Sequence, residues 1–243
     1  MNTKSCVLYI AHNNDDTSYK NYKFIKNQLD ENKYDLIWCA PEIFLKEKDI
    51  HWFTYDNRKI RKRNFVNPSI VVEDFYIKNP NYKYYYVYEW DVHYEGNIND
   101  LMQELDNKLD ADLLGSYIGN HDIKKHSYYY SFKSINILIK FILRCRRKDL
   151  VKGCFSFARL SNKALETICS YSKIRQQFLY EIYWPSMCKL KGLKILCLNR
   201  EGTSKEYFCE YDLMNANTFF WSAVFKSNEE FKKNTFYTKF IWE

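Results

Sequence analysis

The run Tyr84-Tyr85-Tyr86-Val87-Tyr88-Glu89-Trp90-Asp91-Val92 limits what this chain can fold into more than any other stretch. Its aromatic and β-branched residues, entered through the turn signal Asn79-Pro80-Asn81, predict a buried central strand. That strand ends in two carboxylates, Glu89 and Asp91. Burying a carboxylate without a partner is expensive. Two acids at the carboxyl end of a core strand therefore call for a divalent cation or a polarised hydroxyl, since hard cations take oxygen ligands. Ligands of α/β sheets also gather beyond strand carboxyl ends. His93 and Glu95 continue with period two from the same end and are further candidates for the site.

The chain around this strand alternates. Residues 6–11 read as a first strand ending in the polar turn His12-Asn13-Asn14-Asp15-Asp16, and Thr17 caps a helix whose inner face holds Tyr22, Ile25 and Leu29. Residues 35–40 form a second strand, stopped by Pro41. Residues 41–67 are irregular and basic, and Asn67-Pro68 opens a helix through Ile77. After Gly96, leucines at 101, 105 and 109 mark an amphipathic helix whose outer face carries most of the nearby acids, with Asp100 on a solvated face. A strand over 112–118 follows, then a looser, His- and Tyr-rich stretch and the apolar segment 135–143. Residues 152–159 are strand-like, and Ser161 caps a helix with Ala164, Leu165 and Ile168 facing inward. A helical stretch through Tyr180 and Glu181 meets Pro185 and ends at Gly192, before a strand over 193–198. Strands alternating with helices predict an α/β fold with a mixed sheet flanked by helices, and a less regular C-terminal region.

Composition excludes several classes. A chain of 243 residues with 46% apolar content can bury a proper core. No apolar run approaches the roughly 20 residues of a membrane span, and the first residues lack the pattern of a secretory signal, so the expectation is a cytoplasmic protein. The segment 135–143, apolar and followed by Arg144-Cys145-Arg146-Arg147-Lys148, reads as a buried helix, a lid, or a peripheral contact with an anionic membrane surface. Eight cysteines occur without a C-x-x-C pair, which favours buried thiols over disulfides or a zinc site. The net charge of +7 is uneven: residues 89–112 hold eight acids and one base, a net −7 that leaves +14 on the rest. A basic surround suits phosphate esters or other polyanions. The cluster Arg58, Arg61 and Arg63 is a candidate for charge-assisted phosphate contacts.

The acid-x-acid motif Glu89-Trp90-Asp91, the segment Gly-Cys-Phe-Ser-Phe-Ala-Arg-Leu-Ser over 153–161 and a following helix with Glu181 resemble GT-A glycosyltransferases, over roughly residues 5–200. These enzymes use a DxD motif and a divalent metal to handle a nucleotide-diphosphate sugar. The resemblance implies a GT-A-like, Rossmann-like domain over residues 1–200, with a nucleotide-sugar half over about 1–118 and an acceptor half over about 119–200. Residues 201–243 would form an aromatic tail packing on the same domain. It further implies Mn²⁺ or Mg²⁺ held by Asp91 and Glu89, with Glu in place of the first Asp of the motif. Donor binding would involve Glu89, Trp90 and Asp91, together with Ala11, His12, Arg58, Arg61 and Arg63. The acceptor would be a saccharide or a lipid-linked saccharide.

An inverting transfer needs a base to take the acceptor hydroxyl's proton. Glu181 is the candidate, in the aromatic setting Phe178-Leu179-Tyr180-Glu181-Ile182-Tyr183-Trp184-Pro185, which can raise its pKa and stack sugars. No Gly-x-x-x-x-Gly-Lys, Gly-x-Gly-x-x-Gly or Gly-x-Ser-x-Gly motif occurs, which argues against P-loop, dinucleotide and α/β-hydrolase chemistry. Two rivals stay open on these residues. A basic, aromatic nucleic-acid binder is disfavoured by the acidic middle of the chain, so no nucleic-acid partner is expected. A metal-dependent phosphoryl hydrolase would want further acids converging on two metals.

Overall fold

Alternation along the first strands sorts side chains into two layers. The structure, a computed structural model, describes residues 4–11, 16–40, 50–55, 68–119, 151–171 and 180–198, and the short strands 219–220, 225–226, 235–238 and 240–241. In β1 (Ser5–Ile10), Cys6, Leu8 and Ile10 enter one buried cluster while Val7 and Tyr9 enter the other. In β2 (Tyr34–Ala40), Ile37 and Cys39 join the first cluster, Trp38 and Ala40 the second. A strand buried on both faces belongs in the middle of a sheet covered by helices.

The covering helices are α1 (Asp16–Lys26) and α3 (Ile98–Lys108) on the second face, and α2 (Pro68–Lys78), α4 (Asn162–Cys169) and α5 (Tyr180–Leu190) on the first. Helix α3 starts at Asn97, whose side chain accepts from Asn99 N and Asp100 N, and Ser161 caps α4 by accepting from Ala164 N. Side-chain oxygens are supplied where the first turn leaves backbone donors unpaired.

Among the described residues, β1 and β2 join β3 (His51–Thr54), β4 (Tyr84–Glu89), β6 (Leu113–Gly119), β7 (Lys152–Ser161) and β8 (Ile195–Cys197) in one sheet, ordered β3-β2-β1-β4-β7-β6-β8. Strand β7 runs against its neighbours β4 and β6, and the other pairings are parallel. This is the mixed α/β sheet flanked by helices that the sequence predicts. Its order reverses between β1 and β4, and an α/β sheet opens a ligand crevice outside the carboxyl ends of strands at such a switch point.

A second, smaller sheet pairs β5 (Val92–Glu95) with β11 (Thr235–Thr238), and β11 with β9 (Phe219–Phe220). Strands β10 (Phe225–Lys226) and β12 (Phe240–Ile241) pair separately. From β11, Phe236 is buried between Phe157 and Tyr94, at 4.6 Å from each ring.

Three expectations need correction. The run over 84–92 is two strands, because the backbone turns at Trp90 and Asp91 and resumes in the second sheet. His93 and Glu95 therefore do not continue the face of Glu89. They pair with each other at 3.1 Å, with His93 against Phe24 of α1. The stretch 41–67 contains β3, an edge strand with only Phe53 buried among its four residues. Helix α5, by contrast, runs past Pro185 and stops before Gly192 as the sequence predicts, although the proline's missing N–H leaves it without a bond to the Glu181 carbonyl four residues back.

The third concerns the acids of α3. Asp100 is exposed as expected, but Glu104 and Asp106 are not on a solvated face. Asp106 accepts from Tyr86 (2.6 Å), Tyr34 (3.3 Å), Ser5 (3.3 Å) and the fully buried Arg159 (3.2 Å). Arg159 also donates to the carbonyls of Leu105, Leu109 and Ala111 at the end of α3, where a cation is favoured by the helix dipole. The apolar segment 135–143 and the basic cluster 144–148 lie outside the described residues. Among the described residues no helix is long and apolar enough to cross a membrane.

Candidate active site

The period-two pattern of β4 decides where Glu89 goes. Tyr85 and Val87 point into the layer of α2, α4 and α5, so Glu89 follows them to that side just as the strand ends. The next strand, β1, ends level with it, since Ile10 is the register partner of Glu89 and Trp90 N donates to Ile10 O at 3.0 Å. Ala11 is buried immediately beyond, and its carbonyl accepts from the Tyr55 hydroxyl at 3.3 Å. Glu89, Trp90 and Asp91 are half-buried and sit at the carboxyl end of β4, beside the end of β1.

Strand β7 supplies the next wall. Because it runs against β4 with Tyr88 opposite Phe157, Ser156 comes level with Glu89 and residues 152–155 extend past the end of β4. A bulge in the β6–β7 pairing between Gly115 and Tyr117 turns Phe155 toward α5. Its ring packs on Trp184 and Tyr180, at 5.5 and 6.1 Å, and so positions the first turn of α5. From that turn the Tyr180 hydroxyl donates to Glu89 Oε1 at 3.0 Å.

Electrostatics follow from this crowding. Burial above all, then the charge of Asp91 and, less, that of Glu181, push Glu89 up to about 7, while hydrogen bonds from Ser156 and Tyr180 pull the other way. Burial also raises Glu181, opposed by the charge of Lys152. Lys152 is lowered by its own burial, with Glu181 acting against that shift. Tyr180 is pushed well above the usual phenol value by burial and by the charges of Glu89 and Glu181, so it stays a neutral donor. Burial pushes Cys154 up to about 12, which leaves a thiol rather than a nucleophilic thiolate.

Three carboxylates and one half-buried lysine thus gather at the switch point. The charges of Asp91 and Glu181 both make Glu89 costlier to ionise, and a cation beside them would lower that cost. Among the described residues no three His, Cys, Asp or Glu side chains converge as a ready-made metal cage. A small, hard divalent ion does not require one: it is commonly held by one or two carboxylates, with substrate phosphates and water completing its shell. Glu89 and Asp91 offer that donor set. A separate cleft lined by Lys4, Tyr22, Lys26, Glu31, Tyr34 and Asp35 lies among residues near the amino ends of β1 and β2, at the other end of β1 from Glu89 and Asp91.

Of the residues singled out in the sequence, Glu89, Trp90, Asp91, Ala11 and Glu181 fall at or beside this crevice. His12, Arg58, Arg61 and Arg63 lie outside the described residues. Sequence reasoning missed Tyr180, Ser156 and Lys152. Tyr180 stands next to Glu181 in the chain, but its bond to Glu89 spans 91 positions and has no local signal.

No protein-family model matches the chain, and no curated protein matches it. Solved structures do. Core-mannan synthase A from Aspergillus fumigatus, in a Mn/GDP form, is similar over 79% of this chain and 70% of its own, at 12% identity and a TM-score of 0.47. A mannosyltransferase from S. cerevisiae in complex with GDP is similar over 77% of this chain and 66% of its own, at 12% identity and a TM-score of 0.47. A galactosyltransferase in complex with donor and acceptor sugar analogs is similar over 76% of this chain and 70% of its own, at 10% identity and a TM-score of 0.42. Likenesses this distant leave the function to be carried by the site itself.

Proposed function

We propose that this chain is a glycosyltransferase that moves a sugar from a nucleotide-diphosphate donor to a hydroxyl of a saccharide or lipid-linked saccharide. The observation that carries the reading is the emergence of Glu89 and Asp91 at the carboxyl end of β4, beside the end of β1, where the strand order reverses. Asp91, and with it Glu89, would hold Mn²⁺ or Mg²⁺. When bound, that ion supplies Lewis-acid stabilisation of the charge developing on the departing nucleoside diphosphate.

The chain's own residues do the rest. Ala11, buried just past the end of β1, and the turn at Trp90 would form the floor of the donor side. Tyr180 donates to Glu89 Oε1, and Ser156 is a second hydrogen-bond partner of the same carboxylate, so the two hold its orientation at the strand end. Glu181, raised by burial against the opposing charge of Lys152, would take a proton from the acceptor hydroxyl in an inverting transfer. Lys152, on the wall past the end of β4, adds the positive charge that a diphosphate requires.

Turnover with a panel of nucleotide sugars tests the proposal. Asp91→Ala lowers kcat/KM by about three orders of magnitude or more, as expected for removal of a charge-stabilising group, while the circular dichroism spectrum and Tm stay near wild type. Unchanged turnover in a folded Asp91→Ala protein would refute the assignment.

A further inference from the structure

The turn that carries Asp91 is held from outside the acidic cluster, by helix α1. Asn21, in the second turn of α1, is almost completely buried at 1% exposure. Its amide nitrogen donates to Trp90 O at 2.9 Å and to Val92 O at 2.7 Å, the carbonyls on either side of Asp91. Two carbonyl acceptors fix which end of the amide faces the turn, since only the NH₂ group donates. The opposite atom, Oδ1, is buried without a hydrogen-bond partner. That is a costly arrangement for a side chain whose task is only to fill space: a buried acceptor without a partner is destabilising, whereas an apolar side chain of the same shape leaves no such group behind.

Helix α1 is a rigid base for this contact. Its Ser18 carbonyl accepts from the Tyr9 hydroxyl at 2.7 Å, and Gln28, just past its end, accepts from Ile98 N at 2.8 Å. The Tyr9 hydroxyl also lies 3.3 Å from Trp90 O. On its other side the turn is pinned to β1 by the Trp90 N–H. A two-residue turn between strands of different sheets has few bonds of its own, so these contacts set the direction in which the Asp91 carboxylate leaves the backbone. Groups that hold a ligand in place without touching the ion tune the affinity of a metal site.

We infer that Asn21 is the positioning residue for Asp91: its amide holds the turn so that the carboxylate is presented to the cation in the β1–β4 crevice. The inference rests on the metal-dependent reading of the site. Its consequence is that Asn21 acts on cation affinity and leaves the chemical step alone once the cation is bound.

The test uses the full chain as wild type, Asn21→Leu and Asn21→Ala. Mn²⁺ is titrated by loss of its free-ion electron paramagnetic resonance signal, alone and with UDP or GDP, against protein-free blanks. Circular dichroism and Tm are recorded on the same samples, and turnover is followed as a function of Mn²⁺. The expected result is a loss of Mn²⁺ affinity of about 10- to 100-fold in a folded variant, the range found for supporting groups around metal sites. The KM for Mn²⁺ rises by a similar factor while kcat at saturating Mn²⁺ stays near wild type. Mn²⁺ affinity within about twofold of wild type in a folded variant, far short of that range, overturns the inference and leaves the transferase reading standing. Loss of folding in both variants also overturns it, since the contact is then structural. Absence of Mn²⁺ binding by the wild-type protein, with and without nucleotide, overturns the metal-dependent reading and the inference with it.

Discussion

Glu89 is the side chain with most at stake in the site. Its folded-state value of about 7 lies above the ordinary 4.5, so the folded protein binds this proton more tightly than the unfolded chain does. The sign follows: folding stability is unaffected below about 4.5 and is lost as pH rises from there through 7. In metal-free protein, Glu89→Gln removes that loss. It should raise stability at pH 8 by about 1–3 kcal/mol, each pKa unit being about 1.4 kcal/mol, and leave stability at pH 4 unchanged. Paired urea denaturations at the two pH values check this; an equal effect at both would show that Glu89 ionises in the fold as it does in the open chain. Arg159 is the structural counterpart. Its guanidinium serves Asp106 and three carbonyls of α3 and its C-terminal extension, and it stacks 4.1 Å from the centre of the Tyr84 ring. Arg159→Met leaves Asp106 under cover without its cation and should cost about 3–5 kcal/mol by urea denaturation. A loss below 1 kcal/mol would mean that Tyr86 and Tyr34 satisfy Asp106 by themselves.

At the scale of elements, the bulge between β6 and β7 links the sheet to α5. The Phe155 ring lies over Gly115 and Gly153, and a Cβ at Gly115 would fall 2.6 Å from its edge. Gly115→Ala therefore forces the ring toward Trp184 and Tyr180, and overpacking of this kind costs about 1–3 kcal/mol. Phe155→Leu in the same chain should recover most of the loss in Tm; no recovery would place the strain in the strand backbone instead. The strands and helices around this link were largely legible, since β1, β2 and β4 alternate between layers and Ser161 caps α4 as its sequence implies. The exceptions have physical causes. Strand β3 buries one residue of four, too little to produce a pattern. The break at Trp90 and Asp91 is silent because Val92 and Tyr94 are as suited to a strand as the residues before them. Asp106 looked like part of a solvated face because the arginine that covers it lies 53 positions away. For the site, the acids and Glu181 could be read from their places beside apolar runs, whereas Tyr180, Ser156 and Asn21 are identified only by what the fold brings against them.

Across the whole molecule, the charge pattern and the topology agree. The acids of residues 89–112 divide by place: Asp106 pairs with Arg159, Glu104 with Lys108 and Glu95 with His93, Asp112 accepts from Ser161 and the Lys194 backbone, Asp100 and Asp110 are exposed, and Glu89 and Asp91 lie at the switch point. On the proposed reading, an anionic donor approaching that crevice would meet the charge of the acids unless a cation is bound beside them. Donor and ion are therefore expected to bind together. The most direct test is a thermal shift of wild type and Asp91→Asn against UDP, GDP and CMP, each with and without Mn²⁺. The account predicts that one nucleoside diphosphate raises the wild-type Tm only when Mn²⁺ is present, and that Asp91→Asn abolishes the rise while its unliganded Tm stays near that of wild type. Equal stabilisation of both proteins, or a nucleotide effect indifferent to Mn²⁺, would contradict it.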